Sequence, residues 1–134
     1  MNTHEGSCLC GKVEFTIQGQ LQQFYLCHCS RCRKNSGSAH AATLFSTSAT
    51  LSWHKGEELI KNFTLPNTQH QNSFCSECGA PLPNLQMKGT LLAIPAGSLD
   101  TAVTLRPNAH IFTQARAKWD TQLEALPEFP QQPV

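Results

Sequence analysis

The sequence is poor in charged residues. Only 14% of its 134 residues are Asp, Glu, Lys or Arg, whereas about a quarter is usual for globular proteins. The few charges nearly cancel, which gives a net charge of +1 and a pI of about 7.6. A nucleic-acid-binding domain is expected to have a pI above about 9, so the composition argues against a nucleic-acid partner.

The sequence also lacks a long apolar segment. Its longest apolar run, residues 91–96, is interrupted by Pro95 and is far shorter than the roughly 20 residues that span a bilayer. The first eleven residues contain no apolar core of the kind that a signal peptide needs. We therefore expect no membrane partner and a cytoplasmic location.

Seven cysteines stand out against this background, and an odd number cannot be paired completely into disulfides within one chain. In a reducing compartment such clusters bind metal. Three of them lie in the stretch Cys27-His28-Cys29-Ser30-Arg31-Cys32. A Cys-x-x-Cys turn brings two sulfurs to one side, and side chains in extended backbone alternate with period two. The spacing therefore predicts that Cys27, Cys29 and Cys32 converge, while His28 faces the opposite way as a packing residue.

Three converging thiolates fit a tetrahedral zinc ion in two ways. An open fourth position is typical of a catalytic zinc, whereas a fourth ligand from elsewhere in the protein makes the site structural. The spacing by itself favours neither alternative. The cations that flank the cluster, Arg31, Arg33 and Lys34, would lower the thiol pKa values below their usual ~8.5.

The other four cysteines form two compact pairs, Cys8 with Cys10 and Cys75 with Cys78, and a glycine follows each pair. Together the pairs would make a complete four-sulfur zinc site, provided that they meet across the fold. Zinc at a site that forms only on folding stabilises the fold directly, by roughly 10–16 kcal/mol in small zinc peptides. The seven cysteines thus divide into four for a structural zinc and three for a second zinc.

Short alternating segments bounded by turn residues predict a mostly β fold. We expect two small antiparallel sheets packed around the zinc sites, with little helix, in a single domain spanning residues 1–134. Residues 1–7 should be loose, the tail 130–134 disordered, and the segment between Pro81 and Pro83 no part of a central strand. Strands are predicted at 13–17, 24–26, 41–45, 49–53, 59–65, 69–74, 91–94 and 110–112, a helical turn at 33–37 and a helix at 119–126.

Several side chains other than the cysteines are predicted to have ordinary roles. Trp53 and Trp119 are interpreted as core residues, and Glu77 as exposed. His40 and His110 are candidates for lining a pocket, although single histidines more often occupy ordinary surface or core positions.

Three motifs in this order, Cys-Leu-Cys-Gly at 8–11, Cys-His-Cys-Ser-Arg-Cys-Arg-Lys at 27–34 and Phe-Cys-Ser-Glu-Cys-Gly at 74–79, resemble the glutathione-dependent formaldehyde-activating enzyme family, which includes the centromere protein V group. The resemblance runs from about residue 6 to about residue 129. It implies a β-tent architecture and a carbon–sulfur lyase that joins formaldehyde and glutathione reversibly as S-hydroxymethylglutathione. It further implies that Cys27, Cys29 and Cys32 are catalytic, and that Arg33 is a cation for the co-substrate glutathione.

Two other functions remain open at this stage. A non-catalytic zinc module that binds a protein or chromatin partner, as the resemblance to the centromere protein V group would allow, would fill the fourth zinc position with a protein ligand. A thiol–disulfide redox protein would use Cys29 and Cys32, but the βαβ pattern expected around such a motif is missing. The leading hypothesis is a zinc enzyme whose partner is a small thiol or its aldehyde adduct; the oligomeric state is left open.

Overall fold

The computed structural model describes residues 2–133, which form eleven short strands, one α-helix and four short 3-10 turns. The strands are β1 (Thr3–Ser7), β2 (Glu14–Gln18), β3 (Gln23–Cys27), β4 (Ala41–Ser46), β5 (Thr50–Lys55), β6 (Ile60–Thr64), β7 (Gln71–Cys75), β8 (Pro81–Leu82), β9 (Asn84–Gln86), β10 (Leu91–Pro95) and β11 (Ala109–Ile111). The helix α1 is Ser30–Ser36, and the 3-10 turns are Glu57–Leu59, Ala96–Ser98, Thr113–Ala115 and Leu123–Ala125. None of the helices in residues 2–133 has the length and apolar character required to cross a membrane.

The strands are arranged in three sheets, and the predicted mostly β class with little helix is confirmed. The strand orders are β1-β2-β5, β11-β3-β4-β10-β9 and β6-β7-β8. The fold thus has three sheets where the sequence suggested two. All pairs are antiparallel except β11 with β3. That parallel pair is possible because more than eighty residues separate the two strands, and a parallel pair needs a long connection.

The core lies between the sheets and follows the period-two pattern. On β2, Phe15 and Ile17 are buried while their neighbours are not, as expected for a strand with one face towards the core. Leu92 and Ile94 of β10 and Leu44 of the adjacent β4 complete the centre. Burial of side chains of this size contributes roughly 1.5–3 kcal/mol each.

Several turn predictions are confirmed by the backbone angles. Gly37 ends α1 in the left-handed conformation (φ 66°), and Gly79 closes the Cys75–Cys78 turn in the same region (φ 77°), where a side chain would be strained. The two strands around Pro81 and Pro83 lie at sheet edges, β8 beside β7 and β9 beside β10. Proline is tolerated there because an edge strand has a free side.

The expectation that residues 1–7 are loose is wrong for the described part of that segment. Thr3–Ser7 forms β1, paired over its whole length with β2. It lies at a sheet edge and carries polar side chains, so its sequence shows no apolar alternation. A Cβ atom at Gly6 would overlap with the ring of Phe15 and the carbonyl oxygen of Ser98, which shows how closely this strand packs.

The predicted helix at 119–126 is also wrong. This segment contains only the 3-10 turn Leu123–Ala125, preceded by Gln122 in a left-handed conformation. Helices this short are marginal unless they bury an apolar face, and here Leu123 and Leu126 are exposed. Trp119 is 63% exposed rather than in the core, because the chain turns at this point and buries the neighbouring Asp120. Of the predicted disordered tail, residues 130–133 are exposed without helix or strand, and residue 134 lies outside the described residues.

Candidate functional site

The two outer cysteine pairs meet in the folded chain. Cys8 and Cys10 follow β1, whereas Cys75 ends β7 and Cys78 lies in the next turn. The Sγ atoms of Cys8 and Cys10 are 3.6 Å apart and those of Cys10 and Cys75 are 3.9 Å apart, and all four lie within 4.8 Å of one another. A regular tetrahedron with the usual Zn–S distance of ~2.3 Å has sulfurs about 3.8 Å apart. The four sulfurs therefore already have the spacing that one zinc ion requires.

Backbone hydrogen bonds fix the Cys75–Cys78 turn. The N–H of Cys75 donates to the carbonyl oxygen of Ala80 (3.0 Å), and the N–H of Gly79 donates to the carbonyl oxygen of Cys75 (2.7 Å). The N–H of Ser76 donates to Leu59 at the end of a 3-10 turn (2.9 Å). The turn is thus held to its neighbours by backbone contacts on both sides, and the two sulfurs are pre-positioned.

In this cluster the pKa values of Cys8, Cys10 and Cys78 diverge. The backbone N–H of Ala80 lowers the pKa of Cys78 to about 6. A backbone hydrogen bond from Lys12 lowers the pKa of Cys10, but desolvation and the neighbouring sulfurs outweigh it and raise this pKa to about 11. Burial would raise the pKa of Cys8, yet the N–H of Val13 at 3.3 Å and the adjacent sulfurs lower it overall. This divergence is what mutual repulsion of thiolates produces, and a divalent cation would remove it.

The three central cysteines also converge, with all three sulfurs within 4.8 Å of one another. Cys27 is the last residue of β3, and Cys29 is the N-cap of α1 in an extended conformation (φ −65°, ψ 157°). The Cys29 sulfur accepts a hydrogen bond from the N–H of Cys32 at 3.4 Å. A cap of this kind satisfies one of the unpaired N–H groups at the start of a helix. The helix start thereby orients the Cys-x-x-Cys pair.

Protonation differs among these three sulfurs as well. Burial raises the pKa of Cys27, and burial together with the two neighbouring sulfurs raises that of Cys32 strongly. Burial would also raise the pKa of Cys29, but the N–H of Cys32 and the adjacent thiols outweigh it, so its pKa is lowered. In the absence of metal Cys29 is therefore the thiol that ionises most readily of the three.

The three central sulfurs open onto a cavity of about 320 Å³ between the five-stranded sheet and the β6-β7-β8 sheet. No fourth His, Cys, Asp or Glu joins the three sulfurs within that 4.8 Å radius among residues 2–133. The wall combines apolar side chains, such as Tyr25 and Phe45, with amides and His70. Burial, followed by the charge of Arg31, lowers the pKa of His70. The site therefore has three sulfurs that could bind one metal ion and a side that faces a cavity.

Sequence reasoning placed Arg33 near this site, but the structure does not place it in the cavity wall. Arg33 lies on α1 and is partly buried, and it is not among the lining residues that the structure describes. Arg31 and Lys34 are exposed on the same helix. The expected contact of Arg33 with glutathione stays a prediction.

His28 faces away from the sulfurs, as the alternation predicted, and is completely buried. Its Nε2 atom is 2.8 Å from Nδ1 of His110, and its Nδ1 atom is 3.3 Å from the carboxylate of the buried Asp120. Arg116 pairs with the same carboxylate at 3.7 Å. Burial, then the charge of Arg116, lowers the pKa of His28. Sequence reasoning missed this polar cluster because His28 lies more than eighty residues before His110, Arg116 and Asp120.

His40 and His110 do not line the 320 Å³ cavity that was their candidate role. Both rings contact His28 instead, with centroid distances of 5.2 Å and 5.0 Å. Glu77 is exposed as predicted and pairs with Lys12 at 3.0 Å. Trp53 packs against the core, with its ring 5.5 Å from that of Phe15 in an edge-on arrangement, which confirms its predicted position.

Comparison with known proteins gives matches over most of the chain. The model of the family described as "Glutathione-dependent formaldehyde-activating enzyme" matches residues 3–115. A protein of Halomonas elongata that carries the name "Putative glutathione-dependent formaldehyde-activating enzyme" is 30% identical over 125 residues, covering 86% of this chain and 78% of the relative. A crystal structure of a Rhodobacter sphaeroides protein superposes with a TM-score of 0.58 at 23% identity, covering 79% of this chain and 98% of that protein. This last match shows a similar fold.

Proposed function

The chain belongs to the glutathione-dependent formaldehyde-activating enzyme family, and we propose that it is a zinc-dependent carbon–sulfur lyase. Its substrate would be the adduct of a small aldehyde with glutathione or another thiol. The observation that carries this proposal is the free side of the Cys27, Cys29 and Cys32 cluster, which faces the cavity without a fourth His, Cys, Asp or Glu ligand in residues 2–133. An accessible position is what separates a catalytic zinc site from a closed one.

The two cysteine clusters would hold zinc in different roles. Cys8, Cys10, Cys75 and Cys78 provide a complete set of four sulfurs and suit a structural ion. Cys27, Cys29 and Cys32 provide three, and a zinc ion bound there would hold a substrate thiol as thiolate or polarise an oxygen. Such chemistry fits a reducing location, for which we propose the cytoplasm.

The reaction breaks one C–S bond, forms one C=O bond and moves one proton. In the adduct HO–CH₂–S–R, the C–S bond breaks with its electron pair going to sulfur, and the hydroxyl proton leaves as the C=O bond forms. The products are formaldehyde and a thiolate, which takes up a proton to give the thiol, and the reverse reaction joins them. His70 lines the cavity, and burial lowers its pKa, which favours the neutral imidazole that can accept that proton.

Exchange spectroscopy tests this proposal directly. Formaldehyde labelled with ¹³C and glutathione form the adduct spontaneously, and two-dimensional exchange NMR reports how fast the carbon moves between free and bound states. We expect zinc-loaded protein to accelerate the exchange and Cys29→Ser to return it to the spontaneous rate. Metal analysis of the same samples should give up to two zinc ions per chain. Wild-type protein with two zinc ions and no acceleration, for glutathione or for smaller thiols, would refute a lyase.

The alternative function is a non-catalytic zinc module. It predicts that a side chain of the protein fills the fourth zinc position. X-ray absorption at the zinc edge distinguishes the two, because adding a thiol should change the average coordination of the second zinc only if its fourth position is exchangeable. An unchanged spectrum at saturating thiol would favour the module.

A further inference from the structure

Apart from Cys27, Cys29 and Cys32 themselves, the described part of the cavity wall carries no permanently charged side chain. Among the residues that the structure describes, none of those lining it is Asp, Glu, Lys or Arg. We infer that this cavity selects an uncharged thiol that carries an amide group, free or as its aldehyde adduct, over thiols that carry carboxylates. The inference rests on the proposed function and specifies its substrate class.

Amide side chains supply most of the polarity of this wall. They come from α1, β7 and β9 and are Asn35, Gln71, Asn72, Asn84 and Gln86. Two of them are held in place: Nε2 of Gln71 donates to the carbonyl oxygen of Leu85 at 2.9 Å, and Nε2 of Gln86 donates to Oδ1 of Asn84 at 3.1 Å. Each of these glutamines therefore keeps its carbonyl oxygen as an acceptor, and Asn84 keeps its NH₂ group as a donor. This donor–acceptor set is complementary to an amide.

Aromatic and aliphatic side chains form much of the rest of the wall. Tyr25 and Phe45 lie with ring centroids 6.2 Å apart, and Ile111 and Phe112 follow from β11 and the residue after it. The volume of about 320 Å³ is at the small end of the roughly 300–1,000 Å³ typical of ligand sites. A compact thiol with a short chain and one amide fits both the size and the polarity.

A carboxylate in this cavity would lose its hydration without gaining a cation. Burying an ionised carboxylate is costly unless it is paired, and arginine is the side chain best suited to pair with it. Arg33 does not line the cavity, and Arg31 is exposed, where an ion pair contributes little. A neighbouring groove shares Asn35 with the cavity, and among the described residues the charged side chain in the wall of this groove is that of Asp100, which is negative. Glutathione, with two carboxylates, is therefore a poor match.

A pair of thiols isolates this single feature. N-acetylcysteine and N-acetylcysteine amide have the same size and the same acetamide, and differ only in a carboxylate against a carboxamide. Their dissociation constants for zinc-loaded protein are measured by isothermal titration calorimetry at pH 8, where His70 is neutral, and are corrected for the measured pKa of each thiol. We expect the amide to bind at least tenfold more tightly.

A charge placed in the wall should change this preference. Asn35 is exposed on α1 and lines the cavity, so Asn35→Lys adds a cation there with little cost to folding. It should reduce the ratio of the two dissociation constants at least threefold. Gln131→Lys, on the exposed C-terminal segment, makes the same change in net charge and should leave the ratio unaltered.

The outcomes separate the inference from the function on which it rests. Equal affinities, tighter binding of the acid, or a ratio that Asn35→Lys leaves unchanged would overturn the inference. Turnover of the glutathione adduct with no binding of either small thiol would overturn it too, while leaving the lyase proposal intact. If no thiol, glutathione included, binds or is turned over, the proposed function itself fails.

Discussion

The two cysteine clusters should differ sharply in what they contribute to folding, and one serine substitution in each tests this. Cys75→Ser removes a buried sulfur from the four-sulfur cluster. Cys29→Ser removes a sulfur from the three-sulfur cluster but keeps an N-cap side chain at the start of α1, where serine is preferred. The two changes are chemically identical, so any difference in stability reflects the site.

The expected magnitude follows from the loops that each site closes. A zinc ion between Cys10 and Cys75 joins residues 65 positions apart. By the chain-entropy estimate for a cross-link, closing a loop of this length contributes about 4 kcal/mol. At roughly 4 °C per kcal/mol for a domain of this size, Cys75→Ser should lower the Tm by about 16 °C. Cys27, Cys29 and Cys32 lie within six residues, so a zinc ion bound there closes no long loop. Losing one of its ligands in Cys29→Ser should therefore cost less than about 1 kcal/mol.

The assay is thermal unfolding of zinc-loaded proteins in reducing buffer, followed by circular dichroism, with zinc counted in each sample. Each variant should retain one zinc ion where the wild type holds two. Zinc counts that fall equally while the Tm values also fall equally would refute the division into a structural and a second site. A larger loss of Tm in Cys29→Ser would reverse it.

Three further predictions rest on single contacts. The pKa of His70, measured by NMR titration, should lie below its ordinary value of about 6.5, and Arg31→Gln should raise it only in part, because burial is the larger cause. Asp120→Ala should cost about 1–3 kcal/mol in denaturant unfolding, since it removes the buried carboxylate that lies 3.3 Å from Nδ1 of His28 and 3.7 Å from the guanidinium of Arg116; a cost below about 0.5 kcal/mol would show that these contacts are not stabilising. Gly6→Ala should cost about 1–3 kcal/mol because its methyl group meets a ring and a carbonyl oxygen, whereas Gly97→Ala, with nothing within 4 Å of its Cβ position, should be nearly neutral; equal effects would contradict the close packing of the first strand.

Much of the fold was accessible from the sequence wherever one face of a strand is buried. The alternation of Val13, Phe15 and Ile17 predicted a strand, and the core contains Phe15 and Ile17 of β2 together with Val13, which directly precedes β2. The same period-two rule predicted that His28 points away from Cys27 and Cys29, as it does. In each case the local pattern and the burial agree, because burial on one face is what imposes the pattern.

The errors fall where neighbours distant in sequence decide the structure. β1 is a polar edge strand that exists because β2 offers it a partner, and no alternation in its own sequence indicates this. The segment 119–126 has apolar residues at helical spacing, but no surface lies opposite them, and Leu126 is 59% exposed. Local propensity is a weak prior, and tertiary context overrides it in both directions.

The position of the central cysteines illustrates the same dependence. β11 pairs in parallel with β3, and the N–H of His28 donates to the carbonyl oxygen of Ile111 at 2.9 Å. The imidazole of His28 then contacts the C-terminal segment through a hydrogen bond with His110 and through the carboxylate of Asp120, which lies 3.3 Å from its Nδ1. The large apolar side chains of Phe112 and Trp119 in that segment are exposed, so strand pairing and these polar contacts attach it to the rest of the fold. The turn that carries Cys27 and Cys29 is therefore fixed on its buried side by residues more than eighty positions away, which no spacing of cysteines could reveal.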